Sequence, residues 1–336
     1  MKVLVVNHRE VQQWLSMSEC VDAMAAVFKM LNRGNAVNPL RNLMWLPDKS
    51  GLIGMMPAYL ADGRVMGLKA ISVFPGNHAT EYDSHQGTVM LFETQNGRLL
   101  AMVDAGKVTA IRTAAVSGVA TRLLAATDAE NLAILGSGVQ AAAHLEAMRV
   151  VRDIKRVRVW SRNFDHARSF AERESVGHSL DIQAFESAQS AVDGAEIICT
   201  VTSSTDPVLQ GDWITPGTHI NAVGSSVPFA RELDTAAVVK SKLFVDRRES
   251  TLNEAGDFLF PKKEGAINDD HVLGELGDIL LENIKGRTSR EDITLFKSLG
   301  LAVEDVAAAH HIYQKLSQQG DGRWIEFNST KTENRA

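Results

Sequence analysis

The most informative stretch of this sequence is Asn131-Leu-Ala-Ile-Leu-Gly136-Ser-Gly138-Val-Gln140-Ala141. Its first, apolar residues predict a buried parallel strand, and the glycines then turn the chain into a helix that begins near Val139. Gly136 permits the tight turn, Gly138 lets the backbone approach a pyrophosphate, and Ala141 lets the helix pack closely on the strand. Free N–H groups and the positive end of the helix dipole face the phosphates. This strand–turn–helix context favours a dinucleotide-binding turn over an ordinary connection between a strand and a helix.

From this stretch onward, strands alternate with helical or loop segments. Apolar runs predict strands at 132–135, 157–160, 182–185, 196–200, 219–223 and 243–245. Six strands at this spacing match a complete doubly wound dinucleotide fold, in which the sheet is parallel.

The first third of the chain is predicted to be rich in antiparallel strands. Thr88–Glu93 and Leu99–Asp104 are joined by Gln95-Asn96-Gly97, which is a strong hairpin signal. Ahead of them, Ser16 and Glu19 have the spacing of a capping box that starts a helix.

The predicted fold class is α/β, with a Rossmann-type doubly wound parallel sheet and a second α+β domain. A long helix of small residues starts near Val108, and a last amphipathic helix spans about Val303 to Leu316. The polar residues 328–336 are expected to fray. We assign residues 116–304 to the Rossmann domain, and residues 1–115 together with 305–336 to the second domain.

Composition limits the classes of protein to which the chain can belong. Its 336 residues are enough for two domains with separate cores, and a net charge of -6 argues against non-specific binding of nucleic acid. Cys20 and Cys199 lie far apart and have no metal-ligand spacing, so we expect buried free thiols and no metal site. No apolar run reaches the ~18 residues of a membrane span, and Met1–Val6 is too short for a secretory signal. We therefore expect a cytoplasmic protein with no membrane partner.

The segment after the second predicted strand bears on the choice of cofactor. An NAD-specific domain usually presents Asp or Glu there to the ribose hydroxyls, whereas this chain has Ser161, Arg162 and Asn163, with no carboxylate before Asp165. An arginine can pair with a 2′-phosphate, and its neighbours can donate hydrogen bonds to it. The alternative is an ordinary surface arginine in a turn. The pattern favours NADP(H) and leaves NAD(H) open.

Three cations stand on otherwise apolar ground. Lys69 lies in Val65–Val73, where a lone lysine would ordinarily face solvent. Arg112 lies in the alanine-rich helix, where an unpaired guanidinium would be costly. With Arg41, the weakest of the three on sequence alone, they have the chemistry to bind a substrate carboxylate. His85, in the loop Ser84–Gly87, is a candidate proton donor, or merely a turn residue.

Several stretches together resemble the ornithine cyclodeaminase/mu-crystallin family over nearly the full length of the chain. They are Ser84–Glu93, Thr109–Ser117, Ile134–Gln140, Asn221–Ser226 with Arg231-Glu-Leu-Asp234, and Phe296–Gly300 with Val303-Glu-Asp305. The resemblance implies a homodimer whose split domain binds substrate and forms the dimer, and a Rossmann domain that binds NAD(P).

The resemblance also implies roles for particular residues. Arg41, Lys69 and Arg112 match positions that hold the carboxylate of the substrate. We expect the cofactor to contact Ser84, Arg112, Thr113, Gly136, Gly138, Val139, Gln140, Arg162, Asn163, Thr202, Ser203, Val223, Gly224, Ser225, Leu299 and Gly300.

One departure from the cyclodeaminase pattern bears on the reaction. Cyclodeaminases carry an acid/base aspartate where this chain has Ser226, and a serine has too high a pKa to act as a base near neutral pH without a helper. Mu-crystallin-like proteins, which resemble ketimine reductases, share the serine. We therefore predict an NAD(P)H-dependent oxidoreductase acting on C–N bonds, which reduces the imine of a small 2-imino acid to the amino acid. Lys69 would orient the substrate and supply or relay a proton, with His85 as second candidate.

Three alternatives stay open at this point. The chain is an amino-acid dehydrogenase resembling alanine dehydrogenase, an ornithine cyclodeaminase despite Ser226, or an NADPH-dependent protein that binds a small ligand without turnover. Retention of all three cations favours an enzyme.

Overall fold

The computed structural model describes residues 2–327, apart from the side chains of His78 and Ala79, and divides into two compact units. The first unit combines residues 1–112 with residues 301–336, and the second is Thr113–Gly300. Residues 328–336, which we expect to fray, lie outside the described residues. No helix within residues 2–327 is long and apolar enough to cross a membrane.

The first unit contains a mixed sheet and the helices that cover it. Its strands are β1 (Lys2–Val6), β2 (Ala36–Val37), β3 (Asn42–Trp45), β4 (Leu52–Leu60), β5 (Val65–Val73), β6 (His85–Glu93), β7 (Leu99–Asp104) and β16 (Arg323–Glu326). The order is β16-β1-β7-β6-β5-β4-β2, with β3 also paired to β4, and the only parallel pair among these described strands is β1 with β7. The helices of this unit are α1 (His8–Trp14), α2 (Met17–Asn32), the start of α3 (Ala105–Leu124), and α11 (Ala302–Gln319).

Local sequence signals explain how this unit is built. The side chain of Ser16 accepts the N–H of Glu19, and the Glu19 carboxylate accepts the N–H of Ser16, so the predicted capping box begins α2. The predicted hairpin joins β6 to β7, and Gly97 has the positive φ of 72° that such a turn requires. Helix α11 packs against α2 and against β4, β5 and β6, which buries one face of the sheet.

The second unit is a doubly wound sheet whose strands are all parallel. Its strands are β8 (Asn131–Leu135), β9 (Arg156–Trp160), β10 (Asp181–Phe185), β11 (Ile197–Thr200), β12 (His219–Ala222), β13 (Lys242–Val245), β14 (Val272–Glu275) and β15 (Thr294–Lys297). They lie in the order β10-β9-β8-β11-β12-β15-β13-β14. The remaining helices are α4 (Val139–Val151), α5 (Phe164–His178), α6 (Ala188–Val192), α7 (Thr235–Val239), α8 (Arg248–Glu254), α9 (Gly256–Lys263) and α10 (Leu276–Leu280).

The α/β fold class predicted from the sequence is confirmed, with one difference in the sheet. The six predicted strands are present, and β14 and β15 extend the sheet to eight. Strand β15 inserts between β12 and β13. Its sequence is Thr-Leu-Phe-Lys, and the final lysine is 1% exposed. Because lysines are rarely buried, this sequence does not predict a strand in the core.

Candidate active site

Four charged side chains meet in the interior of the first unit. Lys69 comes from β5, Arg112 from α3, and Glu304 and Asp305 from the first turn of α11. Lys69 Nζ lies 2.7 Å from Asp305 Oδ2, while Arg112 places Nε 2.9 Å from Asp305 Oδ1 and Nη1 2.6 Å from Glu304 Oε2. All four residues are buried. We name this group the Lys69–Arg112 cluster; within it the Asp305 carboxylate bridges both cations.

The alternation of β5 explains why Lys69 points inward. Val65, Gly67, Lys69 and Ile71 are buried on one face of the strand. Gly67 allows α11 to come close, because a Cβ there would lie 2.6 Å from a methyl carbon of Val306. Lys69 is thereby carried under the start of α11, where two acidic residues also stabilise the positive end of the helix dipole.

The cluster shifts the ionisation of its members. Burial lowers the pKa of the Lys69 ammonium to about 8, and the charge of Asp305 opposes part of that shift. Burial also disfavours the charged guanidinium, but Asp305 and Glu304 outweigh it and raise the pKa of Arg112. Although burial alone would raise the pKa of Asp305, Arg112 and Lys69 hold it below its ordinary value. Lys69 is therefore the cation of the cluster that can exchange a proton nearest to neutral pH.

Glu304 and Asp305 are functional candidates that sequence reasoning did not single out. They appear in it only as part of a matching stretch, and the partner expected for Arg112 is water, an anion or a cofactor phosphate, whereas the structure pairs it with these two carboxylates. The signal was two adjacent carboxylates in the first turn of the helix, between apolar residues that its buried face requires. Because both are fully buried, they have to be paired, and the cations of the first unit are the partners.

Arg41 and His85 lie at the starts of two strands. Arg41 directly precedes β3 and is partly exposed. His85 is exposed, begins β6, and places Nδ1 2.9 Å from the hydroxyl of Ser84. It pairs with Val73 in the sheet, whereas Lys69 pairs with Val89, so the two positions are separated by four residues, or ~13 Å, along the strands. The structure brings Lys69 and Arg112 together and leaves His85 at the strand end.

In the second unit, the turn between β8 and α4 has two glycines with different tasks. Gly136 has a φ of 128°, and a Cβ there would lie 2.8 Å from the carbonyl oxygen of Val201, so only glycine fits. A Cβ on Gly138 would meet no described atom within 4 Å, which leaves the space above it open. Gly138 occupies the N-cap position of α4, where no side chain caps the helix, and Val139 is 70% exposed. The first N–H groups of α4 are thus presented to a ligand.

Other predicted cofactor residues lie at the same end of the sheet. Arg162 is exposed after β9, where Ser161 Oγ lies 3.1 Å from Ser137 Oγ in the turn after β8. Asn163 uses its side-chain oxygen to cap α5, which leaves its NH₂ group as a donor. The Oε1 atom of Gln140 is buried and has no hydrogen-bond partner in the described part of the chain.

The loops after three further strands complete this region. Thr202 and Ser203 follow β11; Val223, Gly224 and Ser225 follow β12; Leu299 and Gly300 follow β15. In open α/β sheets, ligands bind at the carboxyl ends of the strands, which is where all these loops lie. Thr113 is buried in α3, at the first position of the second unit.

Residues 1–320 match the sequence profile of the ornithine cyclodeaminase/mu-crystallin family. The chain belongs to this family. It is 39% identical to mouse ketimine reductase mu-crystallin over 316 residues, covering 93% of this chain and 97% of that protein. The structure of Thermococcus litoralis Δ1-pyrroline-2-carboxylate reductase with NADH and L-proline is similar with a TM-score of 0.93 at 38% identity, covering 96% and 99% of the two chains. An archaeal alanine dehydrogenase dimer with bound NAD has a TM-score of 0.92 at 30% identity, covering 98% of this chain and 100% of its own.

The predicted family is thereby confirmed over most of the chain. Two of these three relatives are named as reductases of imines, and two were solved with a nicotinamide cofactor. The turn after β8 fits such a cofactor, because its glycine clearance, uncapped helix start and unpaired Gln140 oxygen all lie together.

Proposed function

We propose that this protein is an NAD(P)H-dependent reductase of small 2-imino acids. The observation that carries the proposal is the Lys69–Arg112 cluster, which combines carboxylate-binding cations with a lysine of low pKa inside a family whose named relatives reduce imines. The dinucleotide turn of the second unit supplies the second requirement of the reaction. The bound cofactor would supply the hydride.

Arg112 and Lys69 would bind the carboxylate of the substrate, with Arg41 as third cation. A guanidinium has five N–H donors, and the described bonds of Arg112 occupy its Nε and one Nη1 donor. Donors therefore remain for a substrate while Glu304 and Asp305 fix the plane of the guanidinium. A cation held in this way pays little entropy on binding the carboxylate.

Lys69 would supply a proton to the imine nitrogen of the substrate or relay one to it. With a pKa of about 8, it is mostly charged at neutral pH yet close enough to titration to give a proton up. Asp305, 2.7 Å away, stabilises the charged form between turnovers. His85 remains the second candidate, and a role for it would require a substrate that extends along β5 and β6.

We propose NADP(H) as the preferred cofactor, with NAD(H) also accepted. Arg162 is exposed directly after β9, and Ser161 and the NH₂ group of Asn163 flank it. These groups are donors, and a 2′-phosphate is an acceptor. The related Δ1-pyrroline-2-carboxylate reductase of Thermococcus litoralis was solved with NADH, which supports acceptance of NAD(H) beside NADP(H).

We further propose a homodimer formed through the face of the first unit's sheet that lies opposite to α11. Val37, Tyr59 and Met66 are 55%, 37% and 40% exposed on this face, where they line a groove of about 580 Å³ together with Leu68 and Phe92. An apolar surface of this kind is typical of a protein interface. Tyr59→Asp combined with Met66→Asp should give a monomer in light scattering, whereas Val176→Asp, at an isolated exposed valine on α5, should not change the mass.

The test of the activity is a screen of imino acids, and of oxo acids with ammonia, in which turnover is measured as the loss of NAD(P)H absorbance. Cyclic 2-imino acids such as Δ1-pyrroline-2-carboxylate should be reduced, and Lys69→Met should abolish turnover while cofactor binding persists. Turnover of pyruvate with ammonia but of no cyclic imine would favour an amino-acid dehydrogenase, which the alanine dehydrogenase relative makes the second candidate. Cofactor and ligand binding without any turnover would favour the binding protein.

A further inference from the structure

A buried carboxylate lies beneath the loops after β11 and β12. Glu232 is fully buried, and each of its two carboxylate oxygens accepts two hydrogen bonds. Oε2 accepts from Thr200 Oγ1 and from the N–H of Gly224, both at 2.7 Å. Oε1 accepts from the N–H of Thr202 at 2.6 Å and from Thr202 Oγ1 at 2.7 Å. One side chain thus ties together the ends of two neighbouring strands.

The two loops meet so closely that their shape depends on this contact. A Cβ on Gly224 would lie 2.2 Å from the carbonyl oxygen of Thr202 and 2.5 Å from Glu232 Oε1. Without Glu232, the four groups that donate to it would have to find water or stay unpaired, which is costly for buried groups. The carboxylate therefore stabilises the backbone of both loops in this shape.

A second set of buried charges holds Glu232 and the neighbouring loops in turn. Asp257 Oδ1 accepts the N–H groups of Glu232 and Leu233, and Asp257 Oδ2 lies 2.8 Å from Lys297 Nζ. Lys297 donates to the carbonyl oxygens of Ala222 and Ser225, at 3.2 and 2.5 Å.

The loop after β15 is fixed in the same manner. Asp246 Oδ2 accepts the N–H groups of Leu299 and Gly300, at 2.6 and 2.9 Å. Buried carboxylates thus set the backbone after three adjacent strands, β11, β12 and β15, which supply Thr202, Gly224 and Leu299 to the expected cofactor site.

We propose that Glu232 is a positioning residue for the nicotinamide cofactor, acting through the loops that begin at Thr202 and Gly224. This inference rests on the proposed function, since it assumes that the cofactor binds these loops. Preformed loops bind a ligand without the cost of ordering, so loss of the carboxylate should weaken binding. The loops lie away from Arg162, so the loss should be shared by NADH and NADPH.

The experiment measures the Kd of both cofactors by fluorescence titration, with the melting temperature of each free protein. Glu232→Gln keeps the size but faces two of the four donors with an NH₂ group, and should raise both Kd values about tenfold or more. Thr200→Val removes only one buried donor, keeps the side-chain shape, and should raise both Kd values by a smaller factor. It carries the test if Glu232→Gln does not fold.

Asp234→Asn is the matched control. Asp234 Oδ1 also accepts two backbone N–H groups, from Gly211 and Ala237, but these begin α7 and a neighbouring turn rather than the cofactor loops. Its melting temperature should fall while its Kd values stay those of the parent. Unchanged Kd values in Glu232→Gln and Thr200→Val, or an equal rise in Asp234→Asn, would overturn the inference alone. Failure of the parent to bind either cofactor would overturn the proposed function as well.

Discussion

Replacing Asp305 by asparagine tests whether the ionisation of Lys69 controls the pH dependence of the reaction. The change keeps the size of the side chain and its contact with Arg112 but removes the charge that lies 2.7 Å from Lys69 Nζ. Burial already lowers the pKa of Lys69 to about 8, and the charge of Asp305 limits this effect. An opposite charge at such a distance shifts a pKa by about 1–3 units, so the pKa of Lys69 should fall by at least ~1 unit in the variant.

The assay is the dependence of kcat/KM on pH, which reports the free enzyme. In the parent, kcat/KM should decline as the pH rises through about 8, because Lys69 then loses its proton. In Asp305→Asn the decline should begin at lower pH, and Lys69→Arg should lose most of its turnover at every pH, since a guanidinium keeps its charge and does not release a proton near neutral pH. Removing one partner of a buried ion pair costs about 3–5 kcal/mol, so the assays should be run well below the lowered melting temperature.

A matched control lies on the same helix. Lys315 of α11 pairs with Glu19 of α2 at 2.8 Å, but these side chains are partly exposed. Glu19→Gln should therefore leave the pH profile unchanged. A decline caused by the imine nitrogen of the substrate would be common to all variants. If Asp305→Asn is active and its profile coincides with that of the parent, Lys69 is not the titrating group and its proposed role is wrong.

Three further predictions address the cofactor and the type of reaction. Arg162→Ala should weaken NADPH more than NADH by about 1–3 kcal/mol in titrations, and an equal loss for both cofactors would contradict the 2′-phosphate contact. Gly136→Ala should lower the melting temperature of the free protein, because φ at this position is 128° and the added Cβ would lie 2.8 Å from the carbonyl oxygen of Val201. Gly138→Ala should instead weaken cofactor binding with little change in melting temperature. The reverse pattern would contradict the roles assigned to the two glycines. Incubation of the unmodified protein with ornithine and NAD should yield no proline, because Ser226 replaces the acid/base aspartate, and robust proline formation would show that another group supplies the base.

The parts of the fold that the sequence predicts are those encoded by neighbouring residues. The turn at Gly136 and Gly138, the capping box at Ser16 and the hairpin at Gly97 each depend on contacts within a few residues, and all three are found. The missed strand β15 shows the limit of this reasoning. Lys297 ends it in the core only because Asp257 and two carbonyl oxygens are there to receive its charge.

The same limit explains what sequence reasoning could not provide for the candidate site. It selects Lys69 and Arg112 because isolated cations among apolar residues are unusual, but their partner Asp305 is 193 residues from Arg112. The packing of α11 on β5 brings Asp305 to Lys69, and that packing requires a glycine at position 67. The chemical consequence is specific. A Lys69 without Asp305 would be neutral over a wider pH range, and an Asp305 without the cations would be protonated more readily. The proton affinity on which imine reduction depends is therefore a property of the cluster rather than of any residue that the sequence displays.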